Sequence, residues 1–210
     1  MLFRGVSNAS HQLLPSIARV AAKDDKSRLD FEQEIFEEFQ ARAHPYLNRE
    51  PKTQIEWLFL AQHYGIPTRL LDWTTNPLVA LFFAVEKSAE YDFAVYKMLQ
   101  NEWISGDVDP FELDKEYGLR PKHTDIRYIN QSGVFTIHPS LSVTATNSNV
   151  AKYIFPGSMR DAIRWQLGKF GIKASFIYPN LDGISQDILE ECKTQLNGGS
   201  MRSTSPFDWA

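Results

Sequence analysis

The spacing of hydrophobic residues predicts five helices. Over residues 28–43 the apolar side chains recur at intervals of three, four and seven positions, which is typical of an amphipathic helix. A second helix is predicted over residues 53–65, begun by Thr53 and ended by Gly65. A third follows the cap residues 74–76 and Pro77, and its nearly uniform apolar character predicts that it is buried. Two more are predicted over residues 158–170, capped by Ser158, and over residues 182–195.

Short runs rich in β-branched and aromatic residues predict the strands. They cover residues 1–6, 92–99, 133–138, 152–155 and 175–178, and an extended piece precedes the third helix. The polar, proline-interrupted residues 101–125 are predicted as a loop with room for one helical turn. Helices and strands mix without strict alternation, so the pattern favours an α+β fold. We expect one domain over residues 1–196, followed by a loose tail at 197–210.

Composition and charge exclude several functional classes. The net charge of −4 gives no overall attraction to nucleic acid or to an anionic membrane. The single cysteine, Cys192, excludes an internal disulfide and fits a reducing compartment. No apolar run approaches the roughly 18 residues of a membrane span, so we expect a cytoplasmic protein with no membrane partner.

The common signatures of enzymatic sites are absent from the sequence. Neither GxGxxG nor GxxxxGK[ST] occurs, so the usual nucleotide-binding loops are missing. The five histidines show no HExxH or other tight metal-ligand spacing, and no GxSxG elbow marks a nucleophilic serine.

A dense polar cluster occupies residues 62–74, between two helices that are predicted to be buried. Buried polar groups without partners cost about 1–3 kcal/mol each, so these side chains must satisfy one another or face a ligand. One hypothesis is a structural network in which Arg69 pairs with Asp72 and His63 is a core histidine. The other is a ligand pocket, which the position beside a helix N-terminus favours.

Two further positions could contact a ligand. Arg4 lies between Phe3 and Gly5 on the first strand, and its guanidinium would suit a diphosphate or carboxylate; the alternative is an arginine at a strand edge paired with an acid. Gln131 and Ser132 begin a later strand. Glutamine cannot act as a general base at neutral pH, but it can orient a substrate or a water molecule.

Four motifs together resemble the FRG domain. They are Phe3-Arg4-Gly5, QHYGIPTRLLDWTTNPLVALFFA at residues 62–84, QSGVF at residues 131–135 and FIYPNLDGI at residues 176–184. The resemblance spans nearly the whole chain, and the long second motif is its most specific part.

The FRG pattern is in turn similar to that of ADP-ribosyltransferases, which implies a split antiparallel sheet with flanking helices and NAD as substrate. By that similarity Arg4 would hold the NAD phosphates, and the Thr74-Thr75 turn with the following helix would match the family's hydroxyl-rich turn. The residues expected to bind NAD are Arg4, Gly5, Gln62, His63, Tyr64, Thr68, Arg69, Thr74 and Phe83.

The sequence departs from the transferase pattern at the catalytic acid. That acid would fall near residues 131–133, where there is no carboxylate. We therefore expect Asp72 or Gln131 to act at the anomeric carbon. The resemblance implies transfer of ADP-ribose to a macromolecule, protein or nucleic acid, by a bacterial toxin or antiviral effector with an antitoxin or defence-system partner. The alternative is a non-catalytic module that binds a nucleotide or a protein through the same pocket.

Overall fold

The computed structural model describes residues 1–87, 89–106, 108–121, 126–139 and 150–196, with the side chains of residues 194 and 195 left aside. The predicted loose tail at 197–210 lies outside the described residues. Among the described residues, no helix is both long and apolar enough to cross a membrane.

A six-stranded antiparallel sheet forms the centre of this mixed α/β structure. Its strand order is β4-β5-β2-β1-β3-β6. The strands are β1 Leu2–Val6, β2 Leu70–Thr74, β3 Phe93–Met98, β4 Tyr117–Leu119, β5 Gly133–Ile137 and β6 Val150–Phe155.

The sheet consists of two three-stranded halves that meet between β1 and β2. β1 pairs with β3 through five residue pairs, and β2 pairs with β5 through five. A single residue pair, Phe3 with Thr74, joins β1 to β2. Beyond that pair the two strands do not continue the ladder, which leaves room for side chains between the halves.

Helices cover one face of the sheet. They are α1 Asp25–Ala43, α2 Gln54–His63, α3 Pro77–Val85, α4 Ile126–Asn130, α5 Arg160–Lys169, α6 Ala174–Ile177 and α7 Leu181–Leu196. The side chains of Thr53 and Asn76 cap α2 and α3, as the sequence predicted, by accepting hydrogen bonds from the N–H groups of Glu56 and Leu78. One apolar cluster joins α3, α5 and α6 to β3, and another joins α1 and α2 to β2, β4 and β5.

β1 and α3 pack with their backbones nearly in contact at Gly5. A Cβ atom at this position would lie 1.8 Å from the carbonyl oxygen of Ala80. Glycine is therefore required here by the packing of α3 against the sheet.

Three sequence predictions of local structure are wrong. Residues 174–177 form helix α6 rather than a strand, because the Asp187 carboxylate on α7 accepts hydrogen bonds from the first two N–H groups of α6. Helix α5 begins at Arg160 after a 3₁₀ turn, with Met159 at the N-cap position and no capping side chain among the described residues, so Ser158 is not its cap. The predicted loop contains β4, which pairs with β5, a contact that local sequence does not encode.

Candidate functional site

An open cleft lies where β1 and β2 diverge, next to the end of α2. It contains about 410 Å³ of empty space, part of it open to solvent. The lining residues are Arg4, Ser16, Arg19, Gln62, Gly65, Ile66, Leu70, Leu71 and Asp72.

Arg4 spans the gap between the two halves of the sheet. Its Nη1 donates a hydrogen bond of 2.6 Å to the backbone oxygen of Asp72 and lies 3.6 Å from Asp72 Oδ2. Burial lowers the pKa of the guanidinium and the Asp72 carboxylate opposes that effect, and an arginine stays charged at neutral pH. The Asp72 side chain is 61% exposed, against 21% for Arg4, so the carboxylate remains accessible from the cleft.

Gln62 holds the other oxygen of the Asp72 carboxylate. Its Nε2 donates to Asp72 Oδ1 at 2.8 Å, and its Oε1 accepts a hydrogen bond from the hydroxyl of Thr68. Thr68 is buried, and its own hydroxyl also accepts from the N–H of Leu70. The chain Thr68–Gln62–Asp72 therefore sets the orientation of the carboxylate from the core outward.

A second wall of the cleft comes from the segment that contains Ser16 and Arg19. Ser16 Oγ accepts a hydrogen bond of 2.9 Å from Thr68 N, and Ile17 N donates to Thr68 O at 3.2 Å. This anchoring places Arg19 near enough to Arg4 that its charge lowers the Arg4 pKa. Among the described residues, two guanidinium groups and one carboxylate line the cleft, so its local charge favours an anion.

Sequence reasoning missed Ser16 and Arg19. They lie about 50 residues before Thr68 in a segment without a recognisable motif, and only tertiary pairing brings them to the cleft.

Arg69 belongs to a different, buried ion pair, so its predicted pairing with Asp72 is wrong. Its Nη2 donates to Glu32 Oε2 at 2.8 Å, and its own backbone N donates to Glu32 Oε1 at 2.8 Å. Nη1 donates to the carbonyl oxygen of Pro110 at 3.0 Å, and the guanidinium lies over the ring of Phe111. Both side chains are about 2% exposed or less, so Arg69 holds the fold and does not line the cleft.

Glu32 was hidden in a run of charged residues that resembles a solvated helix face. The position of Glu32 could have identified it as buried. Leu29, Glu32 and Phe36 are spaced by three and four residues, so Glu32 lies on the apolar face of α1. A charged residue on that face needs a buried partner.

Thr74 and Gln131 join neighbouring elements. Thr74 Oγ1 donates to Gln131 O at 2.6 Å and accepts from Asn76 N at 3.0 Å. The Gln131 side chain donates from Nε2 to the carbonyl oxygen of Ile177, on α6, at 3.0 Å. Neither residue is among the described residues that line the cleft.

The aromatic residues expected at the site divide between two locations. His63 and Tyr64 lie at the end of α2, immediately after Gln62, with ring centroids 5.0 Å apart, and Tyr64 is 68% exposed. Phe83 packs against Phe82 and Tyr178 in the apolar cluster around α3. Gly5 lies in the contact between β1 and α3.

Comparison with known proteins identifies the first part of the chain. The family model of the FRG domain matches residues 1–92, which include β1, α1, α2, β2 and α3 and therefore every cleft residue. No curated protein and no solved structure matches the chain. The motifs at residues 131–135 and 176–184 lie beyond the matched segment, so their assignment stays a prediction. Over residues 1–92 this chain is confirmed as a match to the FRG domain family.

Proposed function

We propose that this protein cleaves NAD in the cleft between β1 and β2 and transfers ADP-ribose to a macromolecule. The observation that supports the proposal most strongly is the placement of the Arg4 guanidinium and the exposed Asp72 carboxylate on one cleft. A cation for a diphosphate and an anion for a positively charged transition state are the two charges that this reaction needs.

Arg4 and Arg19 would hold the two phosphates of NAD, because guanidinium groups match phosphate oxygens in geometry and charge. The bond between the ribose C1′ and the nicotinamide nitrogen then breaks, and nicotinamide leaves with the bonding electron pair. The ribose passes through an oxocarbenium-like state that the Asp72 carboxylate stabilises, and a nucleophile of the acceptor attacks C1′ and loses its proton.

Gln62 acts in this scheme as a positioning residue. Its amide holds Asp72 Oδ1 while Thr68 fixes the amide from the other side. A carboxylate whose orientation is fixed in advance does not have to reorganise as positive charge develops on the ribose. This preorganisation is the main way in which such groups stabilise a transition state.

The fold and the neighbouring residues support the same proposal. The single residue pair between β1 and β2 agrees with the split sheet that the resemblance to ADP-ribosyltransferases implies. His63 and Tyr64 lie beside Gln62 and would frame the nicotinamide or ribose. The acceptor would be a protein or nucleic acid in the bacterial cytoplasm, and the protein would act as a toxin or antiviral effector with an antitoxin or defence-system partner.

The alternative is a module that binds NAD or another nucleotide without chemistry. Two observations favour it: residues 131–133 contain no carboxylate, and the Gln131 amide already donates to Ile177 O. In this case the cleft would bind the diphosphate with Arg4 and Arg19, and Asp72 would have no catalytic part.

Three variants separate the two functions. Incubation with labelled NAD and cell lysate measures transfer and nicotinamide release, and calorimetry with ADP-ribose measures binding. On the transferase proposal, Asp72→Asn lowers turnover by about 10²–10³-fold, as the loss of a charge-stabilising group does, and leaves ADP-ribose affinity within about twofold. Arg4→Gln abolishes binding of ADP-ribose. Asp30→Asn, at an exposed position on α1, is the control and changes neither turnover nor ADP-ribose affinity.

Two results would contradict parts of the proposal. Binding of ADP-ribose that depends on Arg4, without nicotinamide release by the unaltered protein, would support the binding module instead. Absence of binding to both NAD and ADP-ribose would exclude both functions at this cleft. Thermal melting of each variant confirms that it is folded.

A further inference from the structure

Helix α7 presents its polar side to the domain and its apolar side to solvent. Leu181, Ile184, Ile188, Leu189 and Leu196 are between 48% and 86% exposed, and Cys192 is also exposed. At 100° per residue these six side chains fall within an arc of about 140° along the helix. We call them the α7 stripe.

The polar side of α7 accounts for how the helix attaches to the domain. Asp187 accepts hydrogen bonds from Ala174 N at 2.9 Å and Ser175 N at 3.2 Å. Glu190 pairs with Arg164 at 3.4 Å, and Glu191 pairs with Lys173 at 3.1 Å. A Cβ atom at Gly183 would lie 2.0 Å from the Tyr178 oxygen, so this side of the helix touches the domain closely.

These attachments fix α7 with the stripe pointing away from the domain. None of the described residues covers the stripe, as the exposures show. Ser185 lies within the same arc. A row of exposed large apolar side chains is nevertheless typical of an interaction surface. The three- and four-residue spacing of the stripe is the spacing with which one helix packs against another.

The charges at one edge of the stripe indicate which helix covers it. Asp182 and Lys193 both lie at the edge next to Leu189, and they are 11 residues apart. In an antiparallel pair of identical helices centred between Ile188 and Leu189, Asp182 of each chain lies about 3 Å along the helix axis from the level of Lys193 of the partner subunit, within reach of the lysine side chain. The stripe is thus complementary to itself in this orientation, as a two-fold interface requires.

A parallel pair would leave Asp182 without a basic partner on the other helix. Opposite edges meet in a parallel pair, so Asp182 would lie beside Ile184 of the partner subunit, and Lys193 of the partner subunit would be about 16 Å away along the axis. We therefore propose that two copies of this chain associate through antiparallel packing of their α7 stripes. One helix face buries less area than most stable interfaces do. We therefore expect a dissociation constant in the micromolar range.

The first test is the oligomeric state of the full chain. Sedimentation velocity over a concentration series should show a monomer–dimer equilibrium. Ile188→Asp should raise the dissociation constant by about 30-fold or more, because it places a charge at the centre of the interface. Gln166→Asp, at an exposed polar position on α5, is the matched control and should leave it unchanged. A protein that stays monomeric up to about 1 mM, or an Ile188→Asp variant that still dimerises as before, overturns the proposal.

The second test is charge reversal with rescue. Asp182→Lys and Lys193→Asp should each weaken the dimer, since each places like charges together. The double variant exchanges the two charges and should restore the affinity of the unaltered protein. Failure of the rescue would overturn the antiparallel arrangement, and circular dichroism establishes that α7 remains helical.

The third test uses the native cysteine. Ser185 and Cys192 are about 10.5 Å apart along one helix, too far to form a disulfide within a chain. In the antiparallel dimer Ser185 lies opposite Cys192 of the partner subunit, so Ser185→Cys should form a covalent dimer under mild oxidation. The unaltered protein should form none, because its two Cys192 residues lie about 10.5 Å apart along the helix axes. A Cys192 disulfide in the unaltered protein would indicate the parallel pair and contradict the proposal.

Discussion

Two arginine–carboxylate pairs show how surroundings decide what the same chemistry does. Arg69 and Glu32 are almost fully buried, and the guanidinium and carboxylate make several hydrogen bonds to each other and to the backbone. Arg4 and Asp72 meet at 3.6 Å in an open cleft, with the carboxylate mostly exposed.

The difference separates a pair that holds the fold from a pair that is available to a ligand. A buried charge without its partner is very costly, so the first pair cannot be opened while the protein stays folded. An exposed pair contributes little to stability because water screens it. Rotation of the exposed Asp72 side chain around a ligand therefore costs little, whereas loss of one partner of the Arg69–Glu32 pair costs about 3–5 kcal/mol.

The largest expected effect follows from Glu32→Gln. This change leaves the Arg69 charge buried without a counterion, and the loss of one partner of such a pair costs about 3–5 kcal/mol. For a domain of this size the melting temperature should fall by roughly 6–20 °C. Calorimetry or thermal circular dichroism measures it. The control Glu34→Gln, at an exposed position of the same helix, should change the melting temperature by no more than about 2 °C.

The next effect concerns His138, whose backbone bonds to Arg69 and whose ring is near enough to Arg4 to be affected by its charge. The backbone N–H of His138 donates to Arg69 O. In its ring, Nε2 is hydrogen-bonded with Thr136 Oγ1, and Nδ1 lies 3.5 Å from Glu116 Oε2. Burial lowers the pKa of His138 to about 4, and the charge of Arg4 adds to this effect. Between about pH 6.5 and pH 4 the unfolded chain therefore binds a proton that the folded protein does not.

Stability should fall by about 3 kcal/mol as the pH decreases through this window because of His138. Urea unfolding at several pH values measures this loss. His138→Gln should remove the part of the slope that comes from this residue, while His44→Gln, at an exposed histidine, should leave the slope as it is. An unchanged slope in His138→Gln would show that the ring is protonated normally in the folded protein.

A smaller effect is expected from Gln62→Ala. The variant removes the amide between Thr68 and Asp72 and leaves the buried Thr68 hydroxyl with fewer partners, at a cost of about 1 kcal/mol. On the proposed function it should also lower turnover, because Asp72 loses the group that orients it. Gln166→Ala, at an exposed position on α5, is the control for stability. Turnover equal to that of the unaltered protein would mean that Gln62 has no positioning role.

The smallest effect on stability should come from Asp72→Asn. Because the carboxylate is exposed and its ion pair is open to water, the loss should stay below about 1 kcal/mol, or roughly 2–4 °C in melting temperature. Measured beside Glu32→Gln, this variant tests the comparison directly. A loss as large as that of Glu32→Gln would show that Asp72 holds the fold in the same way.

Local sequence predicted those elements whose signals lie within a few residues. Helix α3 begins at Pro77 with Asn76 as its cap, and α2 begins after Thr53, because a cap bonds to the N–H groups two or three residues ahead. Helix α6 could not be predicted in this way, since the carboxylate that caps it comes from α7. Strand β4 likewise depends on its pairing with β5.

The candidate site shows the same division. The sequence indicated Arg4, Gln62, Thr68 and Asp72 because they stand in motifs, and all four line or support the cleft. It did not indicate Arg19, which reaches the cleft through the bonds of Ser16 and Ile17 to Thr68.

The sequence by itself determined that residues 1–92 contain the FRG pattern and that residues 62–74 form a dense polar segment, since both are properties of residue order. Only the tertiary structure decided which charges meet. Arg69 and Asp72 are three residues apart, yet they lie in different surroundings: Arg69 is closed in by Glu32 on α1, and Asp72 faces Arg4 across the gap between β1 and β2. The physical reason is that the energy of an ion pair depends on the partners and solvent around it, and those come from distant parts of the chain.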